Sequence, residues 1–197
     1  GALATSTDLS LGQNVSLTNA GTFNVTNSLA LTGQISGAGG LIKAGTGTLF
    51  ANNVTNSYTG NTTIQAGTLQ INDSRALGAQ TNTLNFTGGT LASSTDLALA
   101  QKVSLSNTGT FNVTDSLALN GQISGAGGLI KTGAGTLFVN NATNSYTGDT
   151  TIQSGTLQID NARALGADTS TLTFTGGTLA SSTDSTLAQK VSLTSDG

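Results

Sequence analysis

Asp73 beside Arg75, echoed by Asp160 near Arg163, is the nearest this sequence comes to a catalytic constellation. Some polysaccharide-cleaving enzymes pair Asp with Arg or Lys, the carboxylate moving a proton while the cation steadies developing charge. The remaining residues give that chemistry little support. There is no His and no Cys, and all nine acidic residues are Asp, so neither an imidazole base nor a thiolate nucleophile exists. The carboxylates are spread thinly along the chain instead of gathering, and a solvated turn is the simpler reading of both Asp/Arg pairs. No catalytic residue is therefore assigned.

Metal and cofactor chemistry fares no better. Calcium-binding nonapeptides need Asp at a set place after their glycines, and Gly37-Ala38-Gly39-Gly40-Leu41 offers none. No metal site and no cofactor are expected. The column Thr22, Thr48, Thr68 and Thr90 could suggest ice binding, but its outward neighbours Asn24, Phe50, Gln70 and Ala92 break any flat array. Thr is also simply a good exposed strand residue. Four aromatic positions stand out as possible contact points for a fibre or a surface: Phe50 and Phe138, which alternation turns outward, with Tyr58 and Tyr146 nearby. The favoured expectation is that the two Phe pack under a loop, against those Tyr side chains.

The elements that carry these residues follow from self-similarity. Shifted by 88, the sequence lies on itself without a gap, and 67 of the 88 aligned pairs are identical. Residues 1–88 form a first unit, 89–176 a second, and 177–197 the start of a third. Within a unit the tripeptide Gly-Thr-(Leu/Phe) begins at Gly21, Gly47, Gly67 and Gly89, and recurs at Gly109, Gly135, Gly155 and Gly177. That spacing predicts four coils of about 22 residues per unit, and about nine coils in all, each made of short strands joined by turns.

Alternation then assigns an inward ladder: Phe23, Leu49, Leu69, Leu91, Phe111, Leu137, Leu157 and Leu179. No single coil can bury its apolar face, but coils stacked about 4.8 Å apart share a continuous core. The expected fold is all-β, a right-handed parallel β-helix, because parallel crossovers are overwhelmingly right-handed. It is expected to form one continuous solenoid, a fragment of a longer chain.

Composition agrees. Only 8% of residues are charged and the net charge is −3, with six scattered basic residues, which argues against a nucleic-acid partner. Without Pro, Cys, Met or Trp, and with 27 Gly, the chain has no disulfide framework and few helix formers. No apolar run is long enough to insert in a membrane.

The segment Gly40-Leu41-Ile42-Lys43-Ala44-Gly45-Thr46-Gly47-Thr48-Leu49 continues to Ser57-Tyr58-Thr59-Gly60-Asn61-Thr62-Thr63 and closes on Gly67-Thr68-Leu69. A second copy runs from Gly128 to Leu157. This resembles the autotransporter-associated β-strand repeat of bacterial type V passenger regions. The resemblance implies a non-enzymatic extracellular shaft at a bacterial surface, supporting adhesion or display. Its partners would be neighbouring repeats of the same chain, other copies of itself, or host and abiotic surfaces. The alternative is a subunit of a self-assembling extracellular filament or sheath.

Overall fold

The computed structural model describes residues 1–194. Strands of two to five residues alternate with tight corners, and the one helical element among the described residues is a 3-10 turn at Ser74–Leu77. The strands pair in parallel with the coil before and the coil after, giving a three-faced β-solenoid. Face one stacks Ala2–Thr5, Gly21–Val25, Leu41–Ala44, Thr62–Ile64, Thr83–Phe86, Lys102–Leu105 and Ile123–Ser124. Face two is unbroken from Leu9–Leu11 to Lys190–Leu193, and its ten strands give the rod about ten coils. Face three opens with Val15–Ser16 and Ile35–Ser36 and resumes with five strands from Leu97–Leu99 to Thr178–Ser181.

The alternation expected of strands is what the structure buries. In Thr68–Ile71 the Leu and Ile are enclosed while Thr and Gln stay partly open, and Leu41–Ala44 repeats the pattern. The core is one cluster from Leu17 to Leu172, and at its centre the Phe86 and Phe111 rings lie 5.0 Å apart. Each enclosed Leu or Phe contributes about 1.5–3 kcal/mol by leaving water. Every coil thus depends on the coils above and below it.

The strand register refines the spacing of the sequence in a way that matters for function. Coils are not of equal length: the one from Leu84 to Val103 is short, and the one from Thr62 to Leu84 is longer. Starting at Phe23, the face-one column runs through Lys43, Ile64 and Phe86 to Leu105, which lies four coils along the rod. The sequence copy of Phe23 is Phe111, which stands past Leu105, beyond a corner and on face two. One 88-residue unit therefore makes four and one-third turns, and each unit is rotated by one face relative to the last.

The same rotation redistributes the expected ladder. Phe23 lies on face one; Leu49, Leu69, Leu91 and Phe111 stack on face two; Leu137, Leu157 and Leu179 stack on face three. A single column would need a whole number of coils per unit. The long glycine step, from Gly21 to Gly47, spans a coil plus one face. The outward threonines follow suit: Thr48, Thr68, Thr90 and Thr110 align on face two, and Thr22 stands on face one.

Candidate functional site

The Asp/Arg pairs are turn hardware. Asp73 accepts a hydrogen bond from the Arg75 backbone N–H at 2.7 Å and so caps the 3-10 turn. Asn161 does the same for Arg163 at 3.1 Å, so the second copy of the turn needs no carboxylate. Asp160 instead faces the next coil, where Ser182 donates to it; that bond and one from Gln158 of its own coil hold its carboxyl below the usual range. Arg163 lines a cavity of about 250 Å³ with Asn144, Ser145, Gly166, Ala167 and Asp168. Among the described residues no three carboxylates gather as metal ligands would.

The four aromatic positions separate into two kinds. Phe50 stands on the outside of face two between Ala30 and Gln70, and is 36% exposed. Phe138 stands on face three between Ala118 and Gln158, half-buried. Tyr58 and Tyr146 are wholly enclosed, so they offer nothing to an outside partner, and the wall of the coil separates them from the Phe side chains. Each Tyr hydroxyl shares a hydrogen bond with the hydroxyl four residues on, Thr62 at 2.6 Å and Thr150 at 2.7 Å.

These tyrosines plug the place where one face loses its strands. Over residues 53–58 the backbone turns, because Asn53 Oδ1 accepts from both the N–H and the hydroxyl of Thr55. Asn56 then replaces the missing ladder with its side chain. Its Oδ1 accepts from the Ile35 N–H at 2.7 Å and its amide nitrogen donates to the Ala76 carbonyl at 3.0 Å, so one residue bridges three coils. Asn144 repeats both bonds to Ile123 and Ala164 at 2.8 Å. In the first unit this plug sits on face three, and in the second on face one. Asn56→Ala orphans a buried donor and a buried acceptor, which costs about 2–4 kcal/mol. The expected result is a marked fall in the urea midpoint with the fold retained, and Asn144→Ala should match it.

Sequence reasoning passed over two residues that the structure places at the centre of the motif. Lys43 and Lys131 are fully buried, inside the core ladder. Lys43 stacks between Phe23 and Ile64, and Lys131 between Phe111 and Ile152. The signal was present, since alternation from Leu41 and Leu129 turns both lysines inward. Lysine is so rarely enclosed that composition alone assigns it to the surface.

The Lys43 ammonium donates to the carbonyls of Ala44 at 2.7 Å, Gly45 at 2.7 Å and Ala66 at 3.1 Å. The Lys131 ammonium donates to Thr132 at 2.6 Å, Gly133 at 2.8 Å and Ser154 at 3.2 Å. Loss of hydration lowers both groups from 10.5 to about 8, so each is still an ammonium at neutral pH. Burial moves the two tyrosines the opposite way, above their ordinary value of 10.0.

The linkage follows. Between about pH 8 and 10.5 the unfolded chain holds lysine protons that the folded chain has released, so stability rises with pH. Above about pH 10 the unfolded tyrosines ionise and the buried ones do not, which lowers stability again. Urea unfolding followed from pH 7 to 11 should show the midpoint climbing from pH 8 and levelling off or turning down near pH 10. The climb should vanish in a Lys43→Met, Lys131→Met variant.

Residues 41–71 and 129–159 match the family model of the passenger-associated-transport repeat. The adhesin BmaC autotransporter of Brucella suis biovar 1 (strain 1330) is 41% identical over 145 residues. That match takes in 72% of this chain, and the chain spans 4% of the relative's length. No solved structure matches the chain significantly. Each matched segment runs from the inward Leu before a buried lysine, through the enclosed tyrosine, to the Ile that closes the following coil.

Proposed function

From the premise that this chain carries two autotransporter passenger repeats, we propose that it is a length of shaft in a bacterial surface protein, with a structural rather than enzymatic job. The observation that carries this reading is continuity. Face two runs without a break through both repeats, so the repeats form one rod and not two domains on a hinge. A rod of about ten coils at about 4.8 Å per coil is on the order of 48 Å long, and length grows with each added repeat. Its outer surface is mainly Thr, Ser, Asn and Gln, with charge sparse and, among the described residues, no cluster of carboxylates along it. Such a surface holds other parts of a protein away from the cell, or adheres weakly along its whole length.

An antibody raised against residues 1–197 and used to label the source cells for electron microscopy tests this reading. Thin isolated stalks rooted at the outer membrane are the expected image. Continuous or bundled fibres would point instead to a filament or sheath subunit. Label confined to the cell interior would overturn the surface assignment altogether.

A further inference from the structure

At two corners of the rod, backbone carbonyls converge on one point and a lysine side chain fills it. The corner after Lys43 turns through Gly45 at φ 75°, and the corner of the next coil turns through Gly67 at φ 62°. Both conformations are ones that side chains rarely adopt. Together they aim the carbonyls of Ala44, Gly45 and Ala66, from two successive coils, at the Lys43 nitrogen. Gly67 is also required for space: a Cβ there would lie 2.8 Å from that nitrogen and 2.4 Å from the Gly45 and Gly47 oxygens. Gly133, at φ 78°, and Gly155, at φ 67°, rebuild the same cage around Lys131.

We propose that these cages are cation sites which the chain fills with its own tethered ammonium, each pinning one corner of a coil to the next in place of a bound metal ion. The carbonyls are what demand it. At these part-buried corners, three acceptors turned inward and left without a donor would each forfeit part of their hydration. One ammonium answers all three at once up to about pH 8. Above that pH the neutral amine, relieved of the cost of an enclosed charge, still donates to two. Among the described residues no carboxylate is a hydrogen-bond partner of either lysine, and every partner found is a backbone carbonyl. The ligand class is a primary ammonium, which matches three converging carbonyls with three N–H donors.

The one-third turn per unit gives the clamps their distribution. Lys43 pins the corner between faces one and two, and Lys131 the corner between faces two and three. A third unit of the same length and sequence would place its clamp at the remaining corner, so that clamps would visit every corner of a long rod in rotation.

The test is chemical rescue in the whole 197-residue chain. Lys43→Ala with Lys131→Ala should lower the folding equilibrium roughly 10- to 100-fold per cage. n-Propylammonium chloride should restore about a tenth of that loss or more, while tetramethylammonium chloride at equal ionic strength, which has no N–H to donate, should restore nothing. Lys43→Met with Lys131→Met fills the space without a donor, and should lose stability with no rescue. Chelator should leave the parent chain unchanged. A Met variant as stable as the parent, an Ala variant indifferent to propylammonium, or a parent weakened by chelator would each overturn the proposal. Should the Ala variant fail to fold, the parent decides the matter by nitrogen NMR. Two lysine side-chain resonances whose protons exchange slowly support the clamp, and freely exchanging protons on all four lysines refute it.

Discussion

Gly67→Ala lowers stability by at least about 3 kcal/mol, more than an ordinary surface change can. Two penalties add. A residue with a Cβ held at φ 62° costs about 1–2 kcal/mol in itself. The Cβ would also stand 2.4 Å from two carbonyl oxygens of the preceding coil, and those oxygens belong to backbone that cannot move without breaking the ladder above it. A coil that shifts to make room drags its neighbours, because every coil shares its hydrogen bonds and its apolar face with the next. Gly155→Ala should show the same loss, since its Cβ would meet the Gly133 and Gly135 oxygens at 2.3 and 2.5 Å. Gly12→Ala is the control, for its nearest neighbour would be a Thr32 side-chain oxygen 3.8 Å away, and it should change little. Thermal and urea unfolding of the three variants measure the contrast.

Spin labels on Ala30 and Asn112 should lie closer together than labels on Ala30 and Ala118, although the second pair is the one that the sequence repeat makes equivalent. Ala30 and Asn112 share one outward column on face two, through Phe50, Gln70 and Ala92. Four coils separate them, so their backbones are about 19 Å apart along the axis. Ala118, the copy of Ala30, stands on face three. Its label points in another direction, and the rod's own width adds to the separation. Sheets pack about 10 Å apart, and this offset lies across the axis and adds in quadrature. Pulsed electron resonance should therefore give a distance longer by at least a few ångströms (about 2–3 Å before the outward reach of the labels is added) for Ala30 and Ala118. Equal distances would mean a whole number of turns per unit, and would remove both the rotation of the surface and the rotation of the lysine clamps. With the rotation, exposed features such as Phe50 and Phe138 fall on successive faces, and a given feature returns to the same side only every third unit. No continuous apolar stripe forms along which two rods could zip together.

Much of this molecule is written in its sequence in plain form. The 88-residue period, the Thr-Leu alternation after each Gly-Thr step and the scarcity of charge together determine a parallel solenoid with an apolar interior. Each is a local property, set by side-chain period and by the need to bury one face of every strand. The outward position of Phe50 follows from the same alternation, and so does the inward position of Leu69. What the tertiary structure alone decided is how the turns add up. Corner lengths differ between coils, and only the closed register shows that Phe23 and Phe111 fall on different faces. The fate of the polar residues was equally out of reach. Alternation turns Lys43 inward, but whether an enclosed ammonium is tolerable depends on carbonyls of Gly45 and Ala66, one nearby and one a full coil away, meeting at its nitrogen. Tyr58 reads as a surface aromatic until Asn56 is seen bridging Ile35 to Ala76 and closing the wall over it. Hydrogen-bond satisfaction in a core is a property of several coils at once, and no single stretch of chain carries it.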